Sequence, residues 1–140
     1  MTDALVLARQ MEWAATTPGA ANQAFNTVNG DVFRWRRMWR EIGDYFGLEV
    51  AECPETPQPL ETQMADAAAA WRELARKHDL VEPDVGKLAS WWHTDADLGR
   101  DQECVNDTTK SRDFGFDHFR ETRGASCDLF DRLRAEKLIP

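Results

Sequence analysis

Nucleophiles, acid–base groups and metal ligands are sparse in this chain and poorly grouped. Its three cysteines, Cys53, Cys104 and Cys127, are widely spaced, and no two form a C-x-x-C pair. An odd number at such spacing makes a poor disulfide framework and points to a reducing compartment. No partner base is marked for any of them, so each is expected to be a buried, inert thiol. The histidines, His78, His93 and His118, show neither an H-E-x-x-H pattern nor a pair at helical spacing. No metal site is expected. Arg34, Arg36, Arg37 and Arg40 could grip a phosphate. However, Arg36 and Arg40 lie one helical turn apart with Glu41 and Asp44 nearby, which reads as a surface charge network. Asn26, Asn29 and Asp31 are turn-building residues, and Asp107 and Lys110 read as a cap and a helix cation. Trp91-Trp92-His93 sets two large apolar rings beside a titratable one. At helical spacing Trp92 shares a stripe with Val85 and Leu88, which leaves core packing and a ligand-facing wall equally open.

The elements that carry these residues are mostly helical. Thr2 can cap a first helix with Ala4, Leu7, Ala8, Met11 and Ala15 along one side, ended by Thr17-Pro18-Gly19. Ala24-Phe25-Asn26-Thr27-Val28 reads as a strand and Asn29-Gly30-Asp31 as a tight turn. Asp31 is then the expected cap of a helix bearing Trp35, Met38, Trp39, Ile42 and Phe46, with Gly47 at its end. Leu48-Glu49-Val50 and Glu103-Cys104-Val105 are short strand candidates. The Pro-punctuated run from Cys53 to Pro59 is a linker. Beyond it come a long helix from Leu60 to His78, one from Asp84 to Gly99, a short one from Thr108 to Phe114, and a last one opening at Thr122. Strand, helix and strand in that order favour an α/β context, yet two or three short strands are too few for an independent sheet. The chain therefore reads as part of a larger domain.

Composition narrows the function. The 140 residues suit one domain, with Lys plus Arg at 17, Asp plus Glu at 25 and a net charge of -8. A net anion of this size repels a phosphate backbone, so nucleic acid is not the expected partner. No apolar run is long enough to span a bilayer, and Met1-Thr2-Asp3 does not open a secretory signal. No membrane association is expected, and the cytosol is the expected compartment.

The segment Asn22-Gln23-Ala24-Phe25-Asn26-Thr27-Val28-Asn29-Gly30-Asp31-Val32-Phe33-Arg34-Trp35 closely resembles the strand–turn–helix segment of progesterone 5β-reductase and iridoid synthase-like enzymes. These are atypical short-chain dehydrogenase/reductases, with NAD-dependent epimerases and dehydratases as wider relatives. Further matching stretches follow in order. They are Met64-Ala65-Asp66 leading to Trp71, then Ser90-Trp91-Trp92 with Leu98-Gly99. After these come Asp107-Thr108-Thr109-Lys110-Ser111-Arg112 with Gly115-Phe116, and Asp128-Leu129-Phe130-Asp131 with the ending Lys137-Leu138-Ile139-Pro140. The resemblance runs over essentially the whole chain but only to the C-terminal portion of the family.

The resemblance implies an α/β fold class: the mostly helical C-terminal part of a Rossmann-type short-chain dehydrogenase/reductase, with few short strands. Residues 1–52 would be the last strand–helix elements of the Rossmann-type domain. Residues 53–140 would form a helical substrate-binding lid region with the C-terminal helix. Family members reduce activated carbon–carbon double bonds with NAD(P)H and commonly form homodimers. The implied substrate is a small apolar carbonyl or enone, faced by Trp91, Trp92 and His93. His93 departs from the aromatic or apolar residue usual in the relatives, and Thr94 stands where Gly is expected, which opens the way to a more polar substrate. No G-x-G-x-x-G occurs among the eight glycines, and the family's catalytic Tyr and Lys lie upstream of the matching portion. Tyr45 is followed four residues on by Glu49 rather than Lys and reads as a packing residue. No catalytic, cofactor-binding or metal-binding residue is therefore expected in this chain, and no reductase activity from it alone. Two alternatives differ: a free-standing helical interaction module derived from such a reductase, and part of a sugar-nucleotide epimerase or dehydratase.

Overall fold

The computed structural model describes residues 1–52, 54, 56, 58–100 and 102–140. Their order is α1 (Ala4–Thr16), a 3-10 turn (Pro18–Ala20), α2 (Trp35–Phe46), α3 (Leu60–Gln63), α4 (Ala67–His78), α5 (Val85–Leu88), α6 (Trp91–Leu98), α7 (Thr109–Asp113) and α8 (Thr122–Ala135). They form two compact units. The first contains residues 1–50 and 104–128, the second 51–103 and 129–140. Among the described residues no helix is long and apolar enough to cross a membrane.

Local chemistry starts and stops the helices, with some changes from the sequence reading. Asp3, not Thr2, caps α1, its carboxylate accepting from the N–H of Leu5 at 2.8 Å and of Val6 at 3.4 Å. Thr2 instead donates its hydroxyl to the Thr27 carbonyl. Pro18 ends α1 as expected. Gly47 ends α2 in the left-handed conformation, at φ 67. The chain then folds back so closely that a Cβ on Gly43 would lie 2.2 Å from the Val50 side chain. The single long helix expected from Leu60 to His78 is two helices, parted by a turn over residues 64–66. The helix expected from Asp84 to Gly99 is also two. Asp84 caps α5, but Ala89 and Ser90 are extended before α6 begins.

None of the three strand candidates is a strand. Residues 24–28, 48–50 and 103–105 have no ladder partner, and the described residues contain no strand. A strand requires a neighbour to take its backbone groups. In the first unit side chains take the carbonyls instead. The Ala24 carbonyl accepts from Lys110 Nζ at 3.0 Å and the Asn26 carbonyl from Gln10 Nε2 at 3.1 Å.

The first unit is built around two neighbouring clusters. One is aromatic: Trp13 meets Phe25 at 5.0 Å and Phe116 at 5.3 Å between ring centroids, and Phe25 meets Phe114 at 5.5 Å. Lys110 covers Phe25, 5.1 Å from its centroid. The other is polar. Asn29 and Thr122 are essentially inaccessible to solvent. Asn29 Oδ1 accepts the Asp3 N–H at 2.5 Å, and its Nδ2 donates to Thr122 Oγ1 at 3.1 Å. Thr122 Oγ1 donates in turn to Asp31 Oδ1 at 2.5 Å, and the Thr122 N–H to Asp31 Oδ2 at 2.8 Å. So Asp31 binds the start of α8, 91 residues away, and not the start of α2. Between the two partners, Gly30 sits at φ +102 with its α-carbon so close to Phe119 that a Cβ would approach Phe119 Cβ to 3.0 Å. The Asn-Gly-Asp sequence is thus a tertiary joint with a turn inside it.

In the second unit Ala75 is buried and Trp71 half-buried, its indole N–H donating to the Glu82 carbonyl at 2.9 Å. The C-terminal segment is tied in by the Val81 N–H on the Lys137 carbonyl at 3.0 Å and by Lys137 Nζ on Asp79 at 2.5 Å.

Two measurements check these contacts. Thr122→Ala strips a partner from both Asn29 and Asp31, and is expected to lower the unfolding free energy by about 1–3 kcal/mol. Thr122→Ser, which keeps the hydroxyl, should cost less. Urea unfolding of the three proteins reads this, and an unchanged midpoint for the Ala variant would contradict it. The hydrogen bond from Lys137, together with its charge, holds the Asp79 carboxyl below its ordinary pKa. A lowered acid pKa stabilises the fold at neutral pH, and that contribution disappears as pH falls through the folded-state value. An NMR titration should give Asp79 a midpoint below that of an ordinary aspartate, rising toward it in Lys137→Met.

Candidate functional site

The best candidate surface lies at the start of α6. Ser90, in extended conformation, precedes it, and Thr94 Oγ1 donates back to the Ser90 carbonyl at 3.1 Å. Trp91 is half-buried, whereas Trp92 is 67% exposed. The His93 ring stacks on the Trp92 indole, with centroids 5.6 Å apart and planes inclined at 29°. One turn on, Asp97 Oδ2 lies 3.8 Å from His93 Nε2, and Asp97 also takes a hydrogen bond from Arg100 at 2.6 Å. Trp92 is therefore not core. The stripe it was expected to share with Val85 and Leu88 is broken by the extended residues between α5 and α6. The exposed rings could cover a flat apolar molecule and offer a polar edge at His93.

Asp95 fixes the direction of this face. Its carboxylate accepts the Leu60 N–H at 2.7 Å and the Glu61 N–H at 3.1 Å, so a residue of α6 caps α3. Sequence spacing could not show this, because the acceptor lies 35 residues beyond its first donor. The only available signal was Pro59-Leu60-Glu61, a helix start with no local capping side chain.

Several of the other candidates have structural partners. Arg37 pairs with Glu41 at 2.8 Å along α2, and Arg123 reaches the same carboxylate at 3.9 Å. Glu41 holds the Arg37 guanidinium above its ordinary pKa through that hydrogen bond and its charge. Asp107 accepts the Thr109 N–H at 2.8 Å at the start of α7, and its carboxyl lies below its ordinary pKa because Thr109 donates to it. His118 lies against Arg9, with its two ring nitrogens 3.0 and 3.2 Å from Arg9 Nη1. Tyr45 packs edge-on to Phe46 at 4.9 Å. Contrary to expectation, Cys104 is exposed rather than buried, and Cys127 is half-buried. Cys53 lies outside the described residues. No group of three His, Cys, Asp or Glu is arranged to hold a metal among the described residues.

A cavity of ≈ 20 Å³ beside Gln10, Asn26 and Ser111 has room for about one water. It is far too small for a nicotinamide or an enone. Carboxylates occupy two of the helix starts of the first unit, Asp3 at α1 and Asp31 at α8, whereas α2 opens without a side-chain cap.

Residues 6–140 match the model of a family described as the PRISE-like Rossmann-fold domain. The chain belongs to this family. It is 36% identical to an (S)-8-oxocitronellyl enol synthase of Camptotheca acuminata, over 99% of the chain and 36% of that protein. A protein of the same description from Antirrhinum majus is 37% identical, again over 99% and 36%. A 3-oxo-Delta(4,5)-steroid 5-beta-reductase of Arabidopsis thaliana is 31% identical over the same shares. The chain thus spans about a third of the length of the curated relatives it matches.

Asp95→Ala tests how this face is held. Releasing the Leu60 and Glu61 N–H groups should cost about 1 kcal/mol and speed hydrogen exchange at those two amides, with the amides of α4 unaffected. Unchanged exchange at Leu60 and Glu61 would contradict the double cap.

Proposed function

We propose that this chain is the substrate-side part of an NAD(P)H-dependent short-chain reductase that acts on an activated carbon–carbon double bond. The supporting observation is its membership of a Rossmann-fold family over residues 6–140, beside relatives named as an enol synthase and a steroid 5-beta-reductase. In this reading residues 1–52 are the last strand–helix elements of an α/β domain. Residues 53–140 carry the lid, and Trp91, Trp92 and His93 line the substrate. The substrate is a small apolar carbonyl or enone.

The chemistry divides accordingly. NAD(P)H supplies the hydride when bound, at a cradle outside this chain's residues. The Trp92 ring gives apolar area that orients the substrate and keeps water from it. His93 offers a nitrogen at the edge of that wall to a carbonyl or hydroxyl of the substrate. The whole protein is a cytosolic homodimer in this reading, without nucleic-acid or membrane partners. A second reading, a free-standing helical module derived from such a reductase, has in its favour the exposed Trp35 and Trp39 of α2, with half-buried Phe33 just before them. There Phe33 meets Trp35 at 5.2 Å and Trp35 meets Trp39 at 5.8 Å.

The purified chain is expected to oxidise neither NADH nor NADPH with any enone. Measurable turnover in an absorbance assay would overturn the proposal. In the whole protein, Trp92→Ala should raise KM for an apolar enone about tenfold, with kcat nearly kept. An unchanged KM would remove Trp92 from the substrate wall.

A further inference from the structure

Glycine follows asparagine at a single place in the chain, Asn29-Gly30. Asn22, Asn26 and Asn106 precede Gln23, Thr27 and Asp107 instead. That pair carries a chemical liability. A backbone nitrogen can attack the side-chain amide carbon of the residue before it, and a glycine, having no Cβ, leaves the approach open. The Gly30 nitrogen would form a bond to Asn29 Cγ and lose its proton to solvent. The bond from Cγ to Nδ2 breaks, and ammonia leaves. Water then adds to either carbonyl of the cyclic imide and opens it, leaving aspartate or isoaspartate at position 29. The net change is amide plus water to carboxylate plus ammonium, with nothing oxidised or reduced.

The folded first unit holds this pair against the reaction. Asn29 is only 2% exposed. Its Oδ1 accepts the Asp3 N–H and its Nδ2 donates to Thr122 Oγ1, so the amide turns toward Gly30 only by giving up both bonds. The backbone is held as well. The Asn29 N–H donates to the Met1 carbonyl at 3.0 Å, and the Asn29 carbonyl accepts the Arg120 N–H at 2.8 Å. Phe119 lies against Gly30 on the far side of the turn.

The product does not fit the joint. A carboxylate at position 29 has no proton to offer Thr122 Oγ1, whose own proton already goes to Asp31. Two buried carboxylates would then compete for one hydroxyl. The Arg120 guanidinium is already engaged with Asp3 and Asp128. Isoaspartate also lengthens the backbone by a methylene where Gly30 makes its turn.

We infer that Asn29 is a spontaneous deamidation site that folding closes and unfolding opens, with a product that cannot rebuild the joint. The pair is a one-way latch on the unfolded chain, making prolonged unfolding irreversible by chemistry rather than by aggregation.

The test holds the whole chain at mildly alkaline pH, folded in buffer and, in parallel, unfolded in guanidinium chloride. Peptide mass spectrometry reads the acid formed at each asparagine over time. Position 29 should convert first in the unfolded chain, and at least about tenfold more slowly in the folded one. After removal of denaturant, the fraction regaining the native near-ultraviolet tryptophan signal should fall in step with the acid at position 29. Thr122→Ala, held below its own melting transition, should convert faster than the folded native chain. If that variant does not fold, it should convert in buffer at the denatured rate. Equal rates in the folded and unfolded native chain overturn the inference. So does earlier conversion at another asparagine, or a chain converted at position 29 that refolds to the native urea midpoint. A Thr122→Ala chain that folds and stays as slow as the native one overturns it too.

Discussion

A buried primary amide cannot be left with empty hydrogen-bonding positions, and that constraint on Asn29 organises the first unit. Its side chain binds the Asp3 N–H and the Thr122 hydroxyl, its N–H binds the Met1 carbonyl, and its carbonyl binds the Arg120 N–H. Three stretches far apart in sequence, residues 1–3, 29–31 and 120–122, meet at this residue. Asp31 completes the set by holding both the hydroxyl and the N–H of Thr122. Arg120 closes it from outside, bonding Asp3 and Asp128. Such a network is all or nothing, because each partner removed leaves another buried and unsatisfied. It joins the starts of α1 and α8 to the Asn-Gly-Asp turn and so sets which side of α1 faces inward.

The outward side then follows. With Val6 and Gln10 buried, Gln10 donating to the Asn26 carbonyl, and Trp13 among the aromatic rings, the Ala4–Ala15 stripe faces solvent. The hydrophobic effect makes such exposure costly, and the stripe gains by being covered. The same division separates structure from chemistry. The first unit spends its polar groups on its own turns and helix starts, and the exposed Trp92–His93 face lies in the second, on a helix that Asp95 fastens to α3.

What could be read from the sequence had short-range causes. Pro18 stopping α1, Gly47 stopping α2 and Asp84 starting α5 all act within one helical turn. Long-range causes were invisible. Asp31 looked like the cap of the next helix, and only the fold reveals its partner at Thr122. The α1 periodicity was real, but the stripe it marked was the outer one, since a buried Gln10 breaks the apolar pattern of the inner face. The strands at 24–28, 48–50 and 103–105 failed for a different reason. Phe, Thr and Val record a preference for pairing, and pairing requires a neighbouring strand, which the described residues do not contain. Trp91, Trp92 and His93 stood out through the family resemblance. The exposure of Trp92 depended on the break at Ala89 and Ser90, for which no residue gave a signal.

The first unit keeps the Ala4–Ala15 stripe of α1 bare. Fluorescence of an apolar dye added to the folded chain, well below its melting transition, addresses this most directly. Strong enhancement is expected in the native state, before any loss of the near-ultraviolet tryptophan signal. A chain that leaves the dye dark until it unfolds would contradict it.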